Sequence, residues 1–242
     1  MHHRSWQFFY HVSASLLLLF AVTSCDTTVK TDEAIVGDAI TTKEPVPDPS
    51  HTFVVDTAKS DVTWIGAKMT GRHNGIFKVA EGELYMHEGL ITGGRMVLDV
   101  AAMHSEDKAI DAKNNEKLTN HLRSADFFDV ARYPTAVFEL TGMAPFDSTG
   151  KSPQATQKYS EYRIKNPTHR ITGNLTIKDQ TKSISFPAKV TLQDGTLQAI
   201  ANFNIDRTKW GLVYRSDNSL GDKTIYPEVN IGLHIVAHQQ TP

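Results

Sequence analysis

Over most of the chain, apolar and polar residues alternate with a period of two. In 196–207, Leu197, Ala199, Ala201, Phe203 and Ile205 share one face, while Gln198, Asn202 and Asn204 take the other. The same rhythm carries Ile184, Phe186, Ala188, Val190 and Leu192, and it sets Val229, Ile231, Leu233 and Ile235 against Glu228, Asn230 and His234. Shorter versions run through Ala136, Phe138 and Leu140 and through Met96, Leu98 and Val100. Side chains of a strand point alternately to its two faces, so the pattern predicts half-buried antiparallel strands with one wet face. Further strands are expected at 52–57, 61–69, 75–79, 82–86 and 170–178. Turn chemistry at Lys59-Ser60-Asp61, Asp179-Gln180 and Asp194-Gly195 separates them. The last is a two-residue hairpin signal, because both turn positions need φ > 0.

One segment departs from the alternation. Leu118, Leu122 and Phe127 recur at helical spacing, which predicts a short helix over 114–123 that ends near 124–126. A plug-like segment then runs from Phe127 and Phe128 to Tyr133-Pro134. Residues 143–167, rich in Ser, Thr, Gln, Lys and Pro, read as a long hairpin or loop excursion with a disordered tip. One helix among about ten strands predicts an all-β fold, an antiparallel barrel, rather than an α/β sheet. Closure would remove exposed strand edges. The inward stripes mix large and small residues, as in Leu197, Ala199, Ala201 and Phe203. Two interiors fit this: the alanines leave room for one guest, or neighbouring side chains fill the space.

The N-terminus follows other rules. Residues 1–24 carry Arg4, an apolar run over 12–22 and then Val22-Thr23-Ser24 before Cys25. A basic start, a short apolar centre and a small-residue end read as a secretory signal, too short to span a membrane. The tetrad ending in Cys25 resembles a lipobox, in which that cysteine receives the lipid; an ordinary signal peptide with an incidental cysteine is the alternative. Acyl chains on Cys25 would hold the protein to a membrane at the cell envelope, facing the periplasm or the exterior. Cys25 is the single cysteine, so the core must supply the stability that disulfides give other exported proteins. Residues 25–50 combine scattered acids with Pro45, Pro47 and Pro49 and hold no aromatic residue. That composition reads as a disordered tether, with a displaced strand around 34–36 as the competing reading. By length, 51–242 form one domain.

Charge and motifs narrow the function. With 25 Lys+Arg against 27 Asp+Glu the chain is near neutral and has no basic run, so nucleic acid is not an expected partner. Of 11 histidines, His2, His3 and His11 belong to the signal, and none of the rest forms a His-Glu-x-x-His pattern. The nearest pair, His234 and His238, falls on a strand and its tail. No metal or cofactor is expected. Gly-x-Ser-x-Gly, phosphate-cradling and dinucleotide fingerprints are missing and the carboxylates are dispersed, so no enzyme is expected. An exposed strand edge could support a homodimer.

Several motifs occur together and in order. Trp64-Ile65-Gly66, His73-Asn74-Gly75 before Phe77, and His121-Leu122-Arg123-Ser124 running through Asp126-Phe127-Phe128-Asp129 to Tyr133-Pro134 resemble the YceI-like family. So do 171–177 with Thr181-Lys182, and Ile205-Asp206-Arg207 followed by Trp210-Gly211. The resemblance implies a lipocalin-like barrel, periplasmic or secreted, that binds polyisoprenoids or isoprenoid quinones in an elongated apolar cavity. Departures are Asn120 before the His-Leu pair, Asp179-Gln180 where the family often has Gly, and the long excursion, which could change what covers the mouth. An isoprenoid tail needs an apolar wall, for which Trp64, Phe77, Phe127, Phe138, Phe186 and Phe203 are the candidates, against ordinary core packing. For a head group, Arg207 could donate to a quinone carbonyl or a phosphate, or else pair with Asp126 or Asp129. His73 is either a head-group donor or a satisfied turn or core histidine, and His121 is expected to hold the helix to the barrel by a side-chain hydrogen bond. A packed, ligand-free envelope module and an enzyme acting on a held lipid are the competing functions.

Overall fold

The computed structural model describes residues 27–41, 52–147 and 160–240. Among these, eleven strands form one sheet. They are β1 (Asp32–Glu33), β2 (Ile35–Asp38), β3 (Thr52–Val55), β4 (Asp61–Lys68), β5 (Gly71–His87), β6 (Leu90–Ser105), β7 (Thr135–Pro145), β8 (His169–Ile177), β9 (Gln180–Gln193), β10 (Thr196–Asp206) and β11 (Ile225–Gln239). From β4 to β11 each strand pairs antiparallel with the next, and β11 pairs back onto β4. The result is a closed, eight-stranded up-and-down barrel with α1 (Ala112–Arg123) between β6 and β7. The all-β antiparallel barrel with one helix expected from the alternation is what forms.

Local chemistry sets the turns. Asp194 and Gly195 lie at φ 49° and 69°, and Glu88 and Gly89 at 50° and 79°, the doubly left-handed geometry that matches strand twist in a tight hairpin. The β8–β9 turn is Lys178-Asp179, with Lys178 at φ 57° and Ile177 opposite Gln180, one residue earlier than composition suggests. The stretches 75–79 and 82–86 belong to one strand, β5, whose register shifts between Val79 and Glu81. An extra residue there reverses the in–out parity, which is why one strand reads as two. The Asp111 carboxylate caps α1 by accepting from the Asn114 amide at 2.8 Å. Arg123 fastens its far end by donating twice to the Met103 carbonyl.

The tether reading fails for the described part of 25–50. β1 runs parallel to β10, with Asp32 opposite Phe203, and β2 pairs antiparallel with β9 from Ile35–Ser185 to Asp38–Lys182. β9 and β10 pair directly only from Gln193–Thr196 to Ala188–Ala201. Beyond that level they part, and residues 32–38 fill the gap as a strap, with Ala34 and Val36 packed on the core. A segment inserted between two strands satisfies its amides and carbonyls through its neighbours, so it orders with few apolar side chains. The outward face under the strap is correspondingly dry. Asn202, Asn204 and Asn230 are buried. Asn202 and Asn230 exchange hydrogen bonds at 3.1 and 2.9 Å, and Asn204 donates to the Val29 carbonyl at 2.8 Å and to Glu33 at 3.0 Å. The return limb of the long excursion clamps the strap from outside, through Arg163 on the Asp32 carboxylate at 2.9 and 3.0 Å and the Ser160 amide on the Lys30 carbonyl. That limb therefore covers the outer wall. Cys25, the signal segment, residues 42–51 and the excursion tip at 148–159 lie outside the described residues.

Candidate functional site

The barrel is hollow. Its cavity measures about 620 Å³, within the roughly 300–1,000 Å³ usual for small-molecule sites. Along β11 the lining runs from Ile225 through Val229, Ile231 and Leu233 to Ile235. At roughly 3.3 Å per residue this is about 33 Å of strand, or about 25 Å along the axis for the ~40° tilt usual in barrels. The choice between a filled and an open interior is decided at the alanines: Ala136, Ala188, Ala199 and Ala201 all face the cavity. Phe186 and Phe203 stack at 4.0 Å with planes 16° apart, and Phe138 lies 6.1 Å from Phe186. These rings sit on β7, β9 and β10, along one side of the wall.

Every ligand-contact candidate named from the sequence lines this cavity: Trp64, His73, Phe77, Phe127, Phe138, Phe186, Phe203 and Arg207. Gly75 explains one motif. It sits opposite Trp64, and a Cβ there would run into the indole and the His104 carbonyl, so only glycine lets the ring lie flat on the wall. Gly173 makes the same allowance for the Phe138 ring. The Trp64 indole N–H is buried without a hydrogen-bond partner.

Apart from Arg95, toward the β5–β6 hairpin, the charged lining gathers at one end. Lys68, Thr70, His73, His121, Tyr214, Arg215, Asp222 and Lys223 line the cavity where the β4–β5 hairpin, α1 and the β10–β11 connection meet. Ile225 pairs with Lys68, which fixes the hairpin beside that connection. His73 and Asp107 meet there, Nδ1 to Oδ2 at 2.7 Å. Burial works to raise the Asp107 carboxyl, but the Ala109 amide and the His73 ring outweigh it and hold it below its ordinary value. With Nδ1 engaged by the carboxylate, Nε2 is the His73 atom left to serve a ligand.

Arg207 makes no ion pair with Asp126 or Asp129. Its guanidinium donates to the backbone carbonyls of Leu212, Tyr214, Ile225 and Tyr226, the last three at 2.9, 2.9 and 3.3 Å. It is a rivet for the β10–β11 connection. Asp126 pairs with His121 at 2.9 Å and Asp129 with Arg132 at 3.6 Å. Burial pulls the Arg207 pKa down, offset in part by Asp206. His121 directs its hydrogen bond to Asp126 and meets the Phe127 and Tyr214 rings edge-on at 5.2 and 5.0 Å, so ring contacts, rather than a hydrogen bond to the barrel, tie it to this end. Lys68, Thr70, Tyr214, Arg215, Asp222 and Lys223 went unnoticed in the sequence. Lys68 ends β4 in phase with Trp64, and the others lie in turns and connections, where alternation says nothing about direction. Among the described residues, no three His, Cys, Asp or Glu side chains come together as metal ligands.

A closed antiparallel barrel wrapped around an elongated apolar cavity with one polar end defines a lipocalin-like class. Residues 53–237 match the YceI-like domain, and the chain belongs to that family. A curated relative, a UPF0312 protein of Azotobacter vinelandii, is 36% identical over 81 residues, which cover 34% of this chain and 32% of the relative. The chain thus matches about a third of that relative's length. Among solved structures, BcnA of Burkholderia cenocepacia is similar with a TM-score of 0.55 and 23% identity, over 75% of this chain and 98% of its own. A polyisoprenoid-binding domain from Saccharophagus degradans is similar with a TM-score of 0.53 and 12% identity, over 77% and 98%. At these identities the likeness concerns the fold.

Proposed function

We propose that this protein binds a long apolar ligand, a polyisoprenoid or an isoprenoid quinone, and carries, stores or shields it at the cell envelope, where lipid on Cys25 holds the chain to a membrane. The observation that carries this reading is the shape and polarity of the cavity: a narrow apolar bore, with its hydrogen-bonding and cationic groups, Arg95 excepted, gathered at one end. A hydrocarbon tail gains about 25 cal/mol for each Å² it buries against such a wall, less the costs of association. The alanine stripe takes the tail. His73 Nε2 and the cations Lys68, Arg215 and Lys223 suit a head group that accepts hydrogen bonds or carries negative charge. The name of the Saccharophagus relative supports the same ligand class.

Organic extraction of protein purified gently from its own host, followed by mass spectrometry, tests the reading. A stoichiometric isoprenoid is expected. Filling the bore with Ala201→Phe should cut its recovery at least ~tenfold while the fold is kept, since added apolar volume in an open cavity meets little strain. An empty extract from the parent protein would leave only a ligand-free envelope module. Chemical conversion of a supplied isoprenoid would point instead to an enzyme.

A further inference from the structure

The strap places the start of the described chain at the polar end of the cavity. Thr27 Oγ1 donates to the Lys68 carbonyl at 2.5 Å, and Arg72 donates to the carbonyls of Thr27 and, at 2.9 Å, Thr28. Only Asp26 separates Cys25 from Thr27. Chain length alone therefore keeps the two Cα atoms within about 7 Å. A second observation marks the same end. Met69 is 43% exposed, Val213 59% and Leu220 42%; Met69 and Val213 adjoin cavity-lining residues of the β4–β5 hairpin and the β10–β11 connection, and Leu220 comes two residues before the lining Asp222. Lys68, Arg215 and Lys223 stand among them, against two acids, Asp217 and Asp222. Exposed aliphatic side chains interspersed with cations suit the headgroup layer of an anionic bilayer.

We propose that this rim is a bilayer-docking surface: a phospholipid membrane seats on Met69, Val213 and Leu220, and the cavity mouth opens onto it. The proposal rests on Cys25 carrying lipid, as in the function proposed above. With no slack between anchor and barrel, the orientation is set by the strap. A ligand then passes between bilayer and bore without crossing water.

The test uses the mature chain on vesicles of phosphatidylethanolamine and phosphatidylglycerol that contain a spin-labelled lipid as quencher. An environment-sensitive dye is placed at Val213→Cys, or at Leu90→Cys, which is 65% exposed at the opposite end. Acylation of Cys25, the sole native cysteine, leaves each label unique. The Val213 label should be quenched at least about threefold more than the Leu90 label, as expected for a surface seated in the headgroup layer. Met69→Asp with Leu220→Asp, both at exposed positions, should erase that difference. Equal quenching at the two ends, or stronger quenching at Leu90, overturns the proposal, and so does a free Cys25 thiol in the mature chain. Docking without a recoverable ligand upholds it and counts against the cavity reading instead.

Discussion

Asp107 is 5% exposed and accepts from the Ala109 amide at 2.8 Å as well as meeting His73. Because its folded pKa lies below the ordinary value, the folded state favours the carboxylate more than the unfolded chain does. The resulting stabilisation is complete above the usual carboxylate pKa of about 4 and fades as pH falls through the depressed value. His73→Gln removes one cause of the depression, so the acid limb of unfolding should move to higher pH in urea titrations between acidic and neutral buffers. Asp107→Asn should flatten that limb and cost about 1–3 kcal/mol at neutral pH. An unchanged acid limb in both variants would remove the pair from the account of stability. Arg207 poses a different residue-scale question, because its planar fork reaches four carbonyls that an ammonium cannot span. Arg207→Lys should cost about 2–3 kcal/mol in urea unfolding and loosen the β10–β11 connection. A loss under about 0.5 kcal/mol would mean that the rivet is dispensable.

At the scale of elements, the strap is an insertion into one seam of the barrel, at the level where β9 and β10 part. Its backbone pairs with β9 on one side and β10 on the other, and its polar links run through Asn204 and Asp32. Asn204→Ala cuts the bonds to the Val29 carbonyl and Glu33 and the one that its Oδ1 accepts from Asn230, while both partners of the Asn202–Asn230 exchange stay in place. Hydrogen exchange should then quicken roughly tenfold, equivalent to about 1.4 kcal/mol, at amides 32–38, with β6 and β7 unaffected. Uniform acceleration across the barrel would show instead that strap and barrel open as one unit.

At the scale of the molecule, a barrel with an open bore gives up core packing that a filled one would have, and a bound tail restores it. Protein stripped of lipid by solvent extraction should therefore unfold at a lower temperature than protein as isolated. Adding back the extracted ligand at about 100–1,000 times its Kd should restore roughly 3–4 kcal/mol. Identical melting curves for stripped and reloaded protein would mean that the bore stays empty in solution.

The alternation in 184–192, 196–207 and 229–235 determined the strands, Asp194-Gly195 its hairpin and Leu118–Leu122 the helix, because these depend on neighbours within a few residues. Except for Phe127, which follows α1, the wall-forming aromatic residues were legible for the same reason: parity along a strand assigns each side chain a face. Other features depended on partners far away in sequence. Residues 32–38 order because β9 and β10 part at a level no local pattern marks, and Asn202, Asn204 and Asn230 are dry because that strap lies over them. Arg207 meets carbonyls that only the return of the chain through residues 212–226 brings within reach. Whether Ala188, Ala199 and Ala201 leave space depends on what stands across the axis. A sequence specifies local conformation and facing, whereas closure distance and the occupant of each gap are properties of the assembled barrel.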